Sequence, residues 1–162
     1  MIRNFEQPLE FRIGALLTEK HLTLCAAESC TGGLILHRLT NVPGSSTYVR
    51  GGFVTYSNEA KIKFAHVSPQ TLESYGAVSE QTATEMARGA RQEFGTDIAL
   101  SVTGIAGPGG GTVDKPVGLT FIGLNTPAYE RVVRHVWSGE REANKAASAQ
   151  AALQLLLDWL AG

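Results

Sequence analysis

No stretch of this sequence approaches the ~18 consecutive apolar residues that a membrane span requires, and no block of like charge runs through it. Lys and Arg total 14 against 15 Asp and Glu, for a net charge of −1. That balance offers no basic stripe to a nucleic acid and no acidic tail to a partner, although one phosphate can still be bound by local geometry. Cysteine is scarce: Cys25 and Cys30 are the only two, and their spacing matches neither a zinc motif nor a CxxC redox pair. A reduced, cytoplasmic setting is expected. The four histidines, His21, His37, His66 and His135, are scattered and show no ligand spacing, so no metal site is expected. The first ten residues lack the charged-then-apolar pattern of a leader. What the chain does have is 162 residues, 43% of them apolar, enough for one domain over 1–162 with a real core.

The apolar spacing predicts a first helix from Pro8 to Lys20, a buried strand from Leu22 to Ala27, and a second helix opening at Thr31-Gly32-Gly33. Gly52 to Tyr56 reads as a strand and Asn58 to Ala65 as a short helix capped by Asn58. Ser68-Pro69 starts another short helix that stops at Gly76, and Ser79 caps a longer one ending before Gly95. Asp97 to Thr103 reads as a strand, and Pro116 to Leu124 with Glu130 to Trp137 as an antiparallel hairpin. From Arg141 a last helix turns Ala149, Leu153, Leu156, Leu157 and Leu160 inward. Early alternation followed by a late hairpin predicts an α/β fold: a three-layer α/β/α sandwich around a mixed, mostly parallel sheet of about five strands.

Two segments carry candidate chemistry, A-E-S-C-T-G-G at 27–33 and G-G-F-V-T-Y-S-N-E-A-K at 51–61. Ser29 follows a strand and precedes a helix, so it reads either as a helix cap or as a nucleophile beside open N–H groups of Thr31, Gly32 and Gly33. On a helical wheel, Glu59 and Lys63 form a solvated pair at i,i+4 while Lys61 falls opposite them, among apolar positions. A lysine there either snorkels outward or loses its water, which lowers its pKa and frees a neutral amine to accept a proton. Tyr56 reads as a strand tyrosine or as a proton relay beside that amine. Cys30 is a rival nucleophile without an evident histidine partner.

G-I-A-G-P-G-G-G at 104–111 follows a strand, as phosphate-cradling loops do. It is neither a Walker A loop nor a dinucleotide turn, since no Gly-Lys-Ser/Thr and no helix follow. A connection between strands explains it equally well. Lys115 and Arg141 read as cations for an anion at this loop, or as ordinary surface charges.

These segments, with Y-G-A-V-S-E, S-V-T-G-I-A-G-P-G-G-G and K-P-V-G-L-T, resemble the CinA C-terminal domain family, whose stand-alone form is nicotinamide-nucleotide amidase. The resemblance spans about residues 8–160 and implies deamidation of nicotinamide mononucleotide to nicotinate mononucleotide and ammonia, with no cofactor. It places the family's nucleophile on Ser29, its tyrosine on Tyr56 and its lysine on Lys61. Substrate phosphate and ribose would meet Gly104, Ala106 and Gly107, with Thr31 and Gly32 as oxyanion or phosphate donors and Arg141 retained as a cation. Glu140 departs from the family's usual aspartate. The length leaves no room for the molybdopterin-binding-like domain of full-length members, so pyrophosphatase activity linked to that domain is not expected. The implied partner is a small pyridine mononucleotide, with no nucleic acid and no membrane, and a homodimer is the base-rate expectation. Two other readings stay open: hydrolysis of a different small amide by the same residues, or a non-catalytic nucleotide-binding module linked to competence or DNA damage.

Overall fold

Alternate residues of the first strand face two different cores, and this sets the layering. The computed structural model describes residues 7–162; most of the segment from which the absence of a leader was read lies outside the described residues. Strand β1 (Leu24–Glu28) is buried along its whole length. Leu24 and Ala26 join a leucine-rich core, while Cys25 and Ala27 join an alanine-rich one on the opposite face, the period-two alternation of a strand covered on both sides.

Helices α1 (Leu9–Glu19), α2 (Leu34–Thr40) and α6 (Arg141–Ala161) cover the first face. Leu153, Leu156 and Leu160 of α6 meet Ile13 and Leu17 of α1 there, and each such side chain contributes roughly 1.5–3 kcal/mol when fully buried. Helices α3 (Asn58–Ala65), α4 (Pro69–Tyr75) and α5 (Glu80–Phe94) cover the second face. Small residues let α5 lie close: a Cβ on Gly89 would stand 1.8 Å from the carbonyl oxygen of Ala65. The absent side chain thus brings the end of α3 against the middle of α5.

With β2 (Val49–Val54), β3 (Ile98–Gly104), β4 (Leu119–Asn125) and β5 (Glu130–Val136), the sheet runs in the order β2-β1-β3-β4-β5. The β1–β2 and β1–β3 pairs are parallel, and β3–β4 and β4–β5 antiparallel. The fold is therefore the three-layer sandwich around a mixed five-stranded sheet. Chain direction reverses sides at β1, with β2 on one flank and β3 on the other, so the loops leaving β1 and β3 diverge and open a crevice beyond the carboxyl ends of the strands. Among the described residues no helix is long and apolar enough to cross a membrane.

Three local expectations differ. Helix α2 begins at Leu34, three residues after Thr31, because Gly32 and Gly33 take left-handed φ values of 63° and 98° and make a turn first. The cap of α3 is Ser57, whose Oγ accepts from the Ala60 N–H, and Asn58 is the first helical residue. Strand β2 ends at Val54, so Tyr56 lies beyond it.

Candidate active site

Three consecutive strand ends deliver the candidate side chains to that crevice: Ser29 after β1, Tyr56 and Lys61 after β2, and the 105–111 loop after β3. Ser29 extends the β1–β3 pairing by one bond, its N–H donating to the Val102 carbonyl at 2.9 Å. Its side chain is almost covered, with the residue 8% exposed. Lys61 comes from the first turns of α3, where it and Ala65 form the buried face, while Ile62 and Phe64 stay partly exposed. The lysine is 2% exposed.

Lys61 Nζ lies 3.1 Å from Ser29 Oγ and donates to the Thr55 carbonyl at 2.8 Å. Burial pushes this amine below the ordinary lysine pKa of 10.5, slightly opposed by Cys30. Among the described residues no carboxylate forms an ion pair with it. A buried ammonium wants three acceptors, and two oxygens face this nitrogen. Donation to the Thr55 carbonyl leaves the lone pair of the amine, when neutral, free to face the Ser29 hydroxyl. The Thr55 carbonyl gave no signal in the sequence, since a main-chain acceptor carries no side-chain mark. Cys30 also lines the crevice, but burial pushes its thiol up to about 11, which keeps it protonated and weakly nucleophilic at neutral pH.

Tyr56 is 59% exposed, and its hydroxyl accepts from Arg141 at 2.7 Å. Among the described residues it bonds to neither Ser29 nor Lys61. Arg141 also donates to the Gly107 carbonyl at 2.7 Å. It thereby links the segment after β2 to the loop after β3. Asn144, one turn further along α6, is buried and fastens the same loop by donating to the Ala106 carbonyl at 3.0 Å; sequence reasoning did not single it out. Among the described residues the N–H groups of Ala106, Gly107, Gly109 and Gly110 make no hydrogen bond, leaving a row of donors on the crevice wall. Gly107 and Gly110 sit at φ values of 91° and 87°, a backbone that favours glycine.

The crevice has a volume of about 250 Å³. Ser29, Tyr56, Lys61, Gly104, Ala106, Gly107 and Arg141 all line it. Thr31 and Gly32 line a neighbouring cleft with Lys145 and Glu142. The Gly32 N–H donates to the Ser29 carbonyl and the Gly33 N–H to the Glu28 carboxylate, so of the three expected donors only the Thr31 N–H stays open. Lys115 is spent elsewhere, donating to the Tyr75 carbonyl at the end of α4.

The comparisons with known proteins agree with this architecture. Among solved structures, a competence/damage inducible protein from Agrobacterium tumefaciens is 42% identical with a TM-score of 0.89, covering 95% of this chain and 94% of that one. A CinA superfamily protein from Klebsiella pneumoniae is 33% identical with a TM-score of 0.91, over 94% of this chain and 96% of that one. A CinA-like protein of Chloroherpeton thalassium is 52% identical over 161 residues, which is 96% of this chain and 38% of the relative. One of Chlorobaculum tepidum is 50% identical over 157 residues, 94% of this chain and 37% of the relative. The chain thus spans under two-fifths of the length of these curated relatives. The family model described as the CinA C-terminal domain matches residues 6–160, and the chain belongs to that family.

Proposed function

We propose that this domain is an amide hydrolase that deamidates nicotinamide mononucleotide to nicotinate mononucleotide and ammonia. The observation that carries the proposal is the buried Lys61 nitrogen 3.1 Å from Ser29 Oγ. A serine hydroxyl attacks a carbonyl only when a base takes its proton, and a desolvated lysine does so without histidine. Lys61 takes the Ser29 proton, and Oγ bonds to the carboxamide carbon. The oxyanion is assigned to the Thr31 N–H, the one expected donor in the turn left open among the described residues. As the carbon–nitrogen bond breaks, Lys61 returns the proton to the leaving ammonia. Water then adds to the acyl-enzyme with Lys61 again as base, releasing the carboxylate and Ser29.

Substrate phosphate is assigned to the open N–H groups of Ala106, Gly107, Gly109 and Gly110 and to Arg141. Backbone donors in a glycine-rich loop suit an anion, and the Arg141 guanidinium stands at the same wall. Tyr56, bonded to Arg141, is assigned to the substrate side of the crevice, where it orients that cation. The reading includes a cytoplasmic place in pyridine-nucleotide salvage.

The test is ammonia release by the purified protein from nicotinamide mononucleotide, with chelator present, beside nicotinamide, its riboside and glutamine. Preferred turnover of the mononucleotide, lost in Ser29→Ala, is the expected result. Preference for an unphosphorylated amide would reassign the substrate. Tight mononucleotide binding without ammonia would instead make the domain a nucleotide-binding module.

A further inference from the structure

The acid that precedes the nucleophile has no part in the chemistry above, yet Glu28 and Lys61 are the only charged residues fully enclosed among the described residues. Glu28 is 0% exposed, and no cation pairs with it among the described residues. Its carboxylate serves the backbone instead. Oε2 accepts from the Gly33 and Ile35 N–H groups at 3.0 and 3.1 Å, and Oε1 from Leu36 at 2.9 Å. The side chain therefore reaches across the Ser29–Gly33 turn and ties its far end to α2.

The main chain of the same residue holds the base. The Glu28 carbonyl accepts from the Thr55 N–H at 2.8 Å. The Thr55 carbonyl accepts from Lys61 Nζ at 2.8 Å, and Nζ stands 3.1 Å from Oγ of Ser29, which is joined to Glu28 by a peptide bond. These links close a ring. Its hydroxyl corner sits on a turn of small residues, two of them left-handed glycines; the Ser29 N–H pins one end to Val102, and the carboxylate ties the far end to α2. Charge-assisted bonds to backbone N–H groups are about twice as strong as neutral ones, and a glutamine there would aim an NH2 at groups that are themselves donors.

We propose that Glu28 is the positioning residue of Ser29, its carboxylate holding the 29–33 turn so that Oγ stays on the Lys61 nitrogen. This rests on the Ser29/Lys61 hydrolase reading and extends it. The experiment compares the whole protein with Glu28→Gln by amide hydrogen exchange, by ammonia release from nicotinamide mononucleotide, and by the rate at which a fluorophosphonate labels Ser29. The expected result is exchange at least tenfold faster across 29–36, kcat and labelling rate each down at least tenfold, and KM within threefold, because among the described residues Arg141 and the 105–111 loop make no hydrogen bond to Glu28. A kcat and labelling rate within twofold of the unaltered protein would overturn the proposal, as would a loss confined to KM. If Glu28→Gln does not fold, Glu28→Asp, whose carboxylate is one methylene shorter, must show the same split. An unaltered protein that is labelled but releases no ammonia refutes the substrate alone, and labelling then decides for Glu28. An unaltered protein that is not labelled at Ser29 overturns both.

Discussion

Replacing Lys61 with methionine separates its chemical part from its structural one. The substitution keeps an unbranched side chain of similar length in a site that is 2% exposed. It removes the bond to the Thr55 carbonyl, and an orphaned buried acceptor costs about 1–3 kcal/mol. It also removes an amine whose burial lowers its pKa from 10.5, which returns ~1.4 kcal/mol for each unit of depression. The two effects oppose, so near pH 7 the stability of Lys61→Met should lie within about 2 kcal/mol of the unaltered protein. The sign with pH is definite. Below its folded pKa the amine is protonated in both states, between the folded pKa and 10.5 only the unfolded chain keeps the extra proton, and above 10.5 neither does. Unfolding then takes up a proton in that window, and stability rises with pH by ~1.4 kcal/mol per pH unit. Lys61→Met lacks this rise. Urea melts from about pH 6 to pH 10, read with ammonia release, check both halves. Activity should fall by about 10²–10⁴, the usual contribution of a general base. A stability difference that does not change with pH would refute the claim that Lys61 is desolvated, and near-normal turnover would refute its role as base.

The remaining predictions concern residues around it. The kcat/KM of the unaltered protein should rise with pH through the Lys61 pKa and level off below 10.5, since the neutral amine is the active form; a flat profile would count against it. Arg141→Ala should raise KM for the mononucleotide about 10–100-fold, the loss of one or two charged hydrogen bonds, and leave the riboside unaffected; parallel losses for both substrates would detach Arg141 from the phosphate. A thiol-alkylating agent at neutral pH should spare activity, because a thiol pushed up to about 11 is thiolate in roughly one part in ten thousand at pH 7; rapid inactivation through Cys30 would contradict this. Gly89→Ala should destabilise the fold by ~1–3 kcal/mol or more through overpacking, because its Cβ would meet the Ala65 carbonyl oxygen, and a thermal melt reads it directly.

Periodicity made the layers legible. The apolar positions of α1, α5 and α6 and the unbroken run of β1 stand in the sequence and face the cores. The sequence marked Lys61 as out of place, opposite a solvated Glu59/Lys63 pair, but left snorkelling and burial both open; the structure buries it. The groups that receive and steady it were not legible. The Thr55 carbonyl belongs to the backbone, and Glu28 looks like the end of a strand until its carboxylate is seen taking the N–H groups of α2. That capture meets α2 where the left-handed turn of Gly32 and Gly33 hands over to the helix. Tyr56 read as a neighbour of Lys61 because five residues separate them, whereas its hydroxyl bonds to Arg141, 85 positions away. Contacts of that span leave no local pattern.

The enclosure of Lys61 also bears on chemical damage. Cyanate, aldehydes and acyl phosphates attack lysines through the unprotonated amine, the form that burial favours at Lys61, so solvent reaching it would expose it to them. At 2% exposure, on the wall of a crevice of about 250 Å³, the amine is screened from such reagents in bulk water.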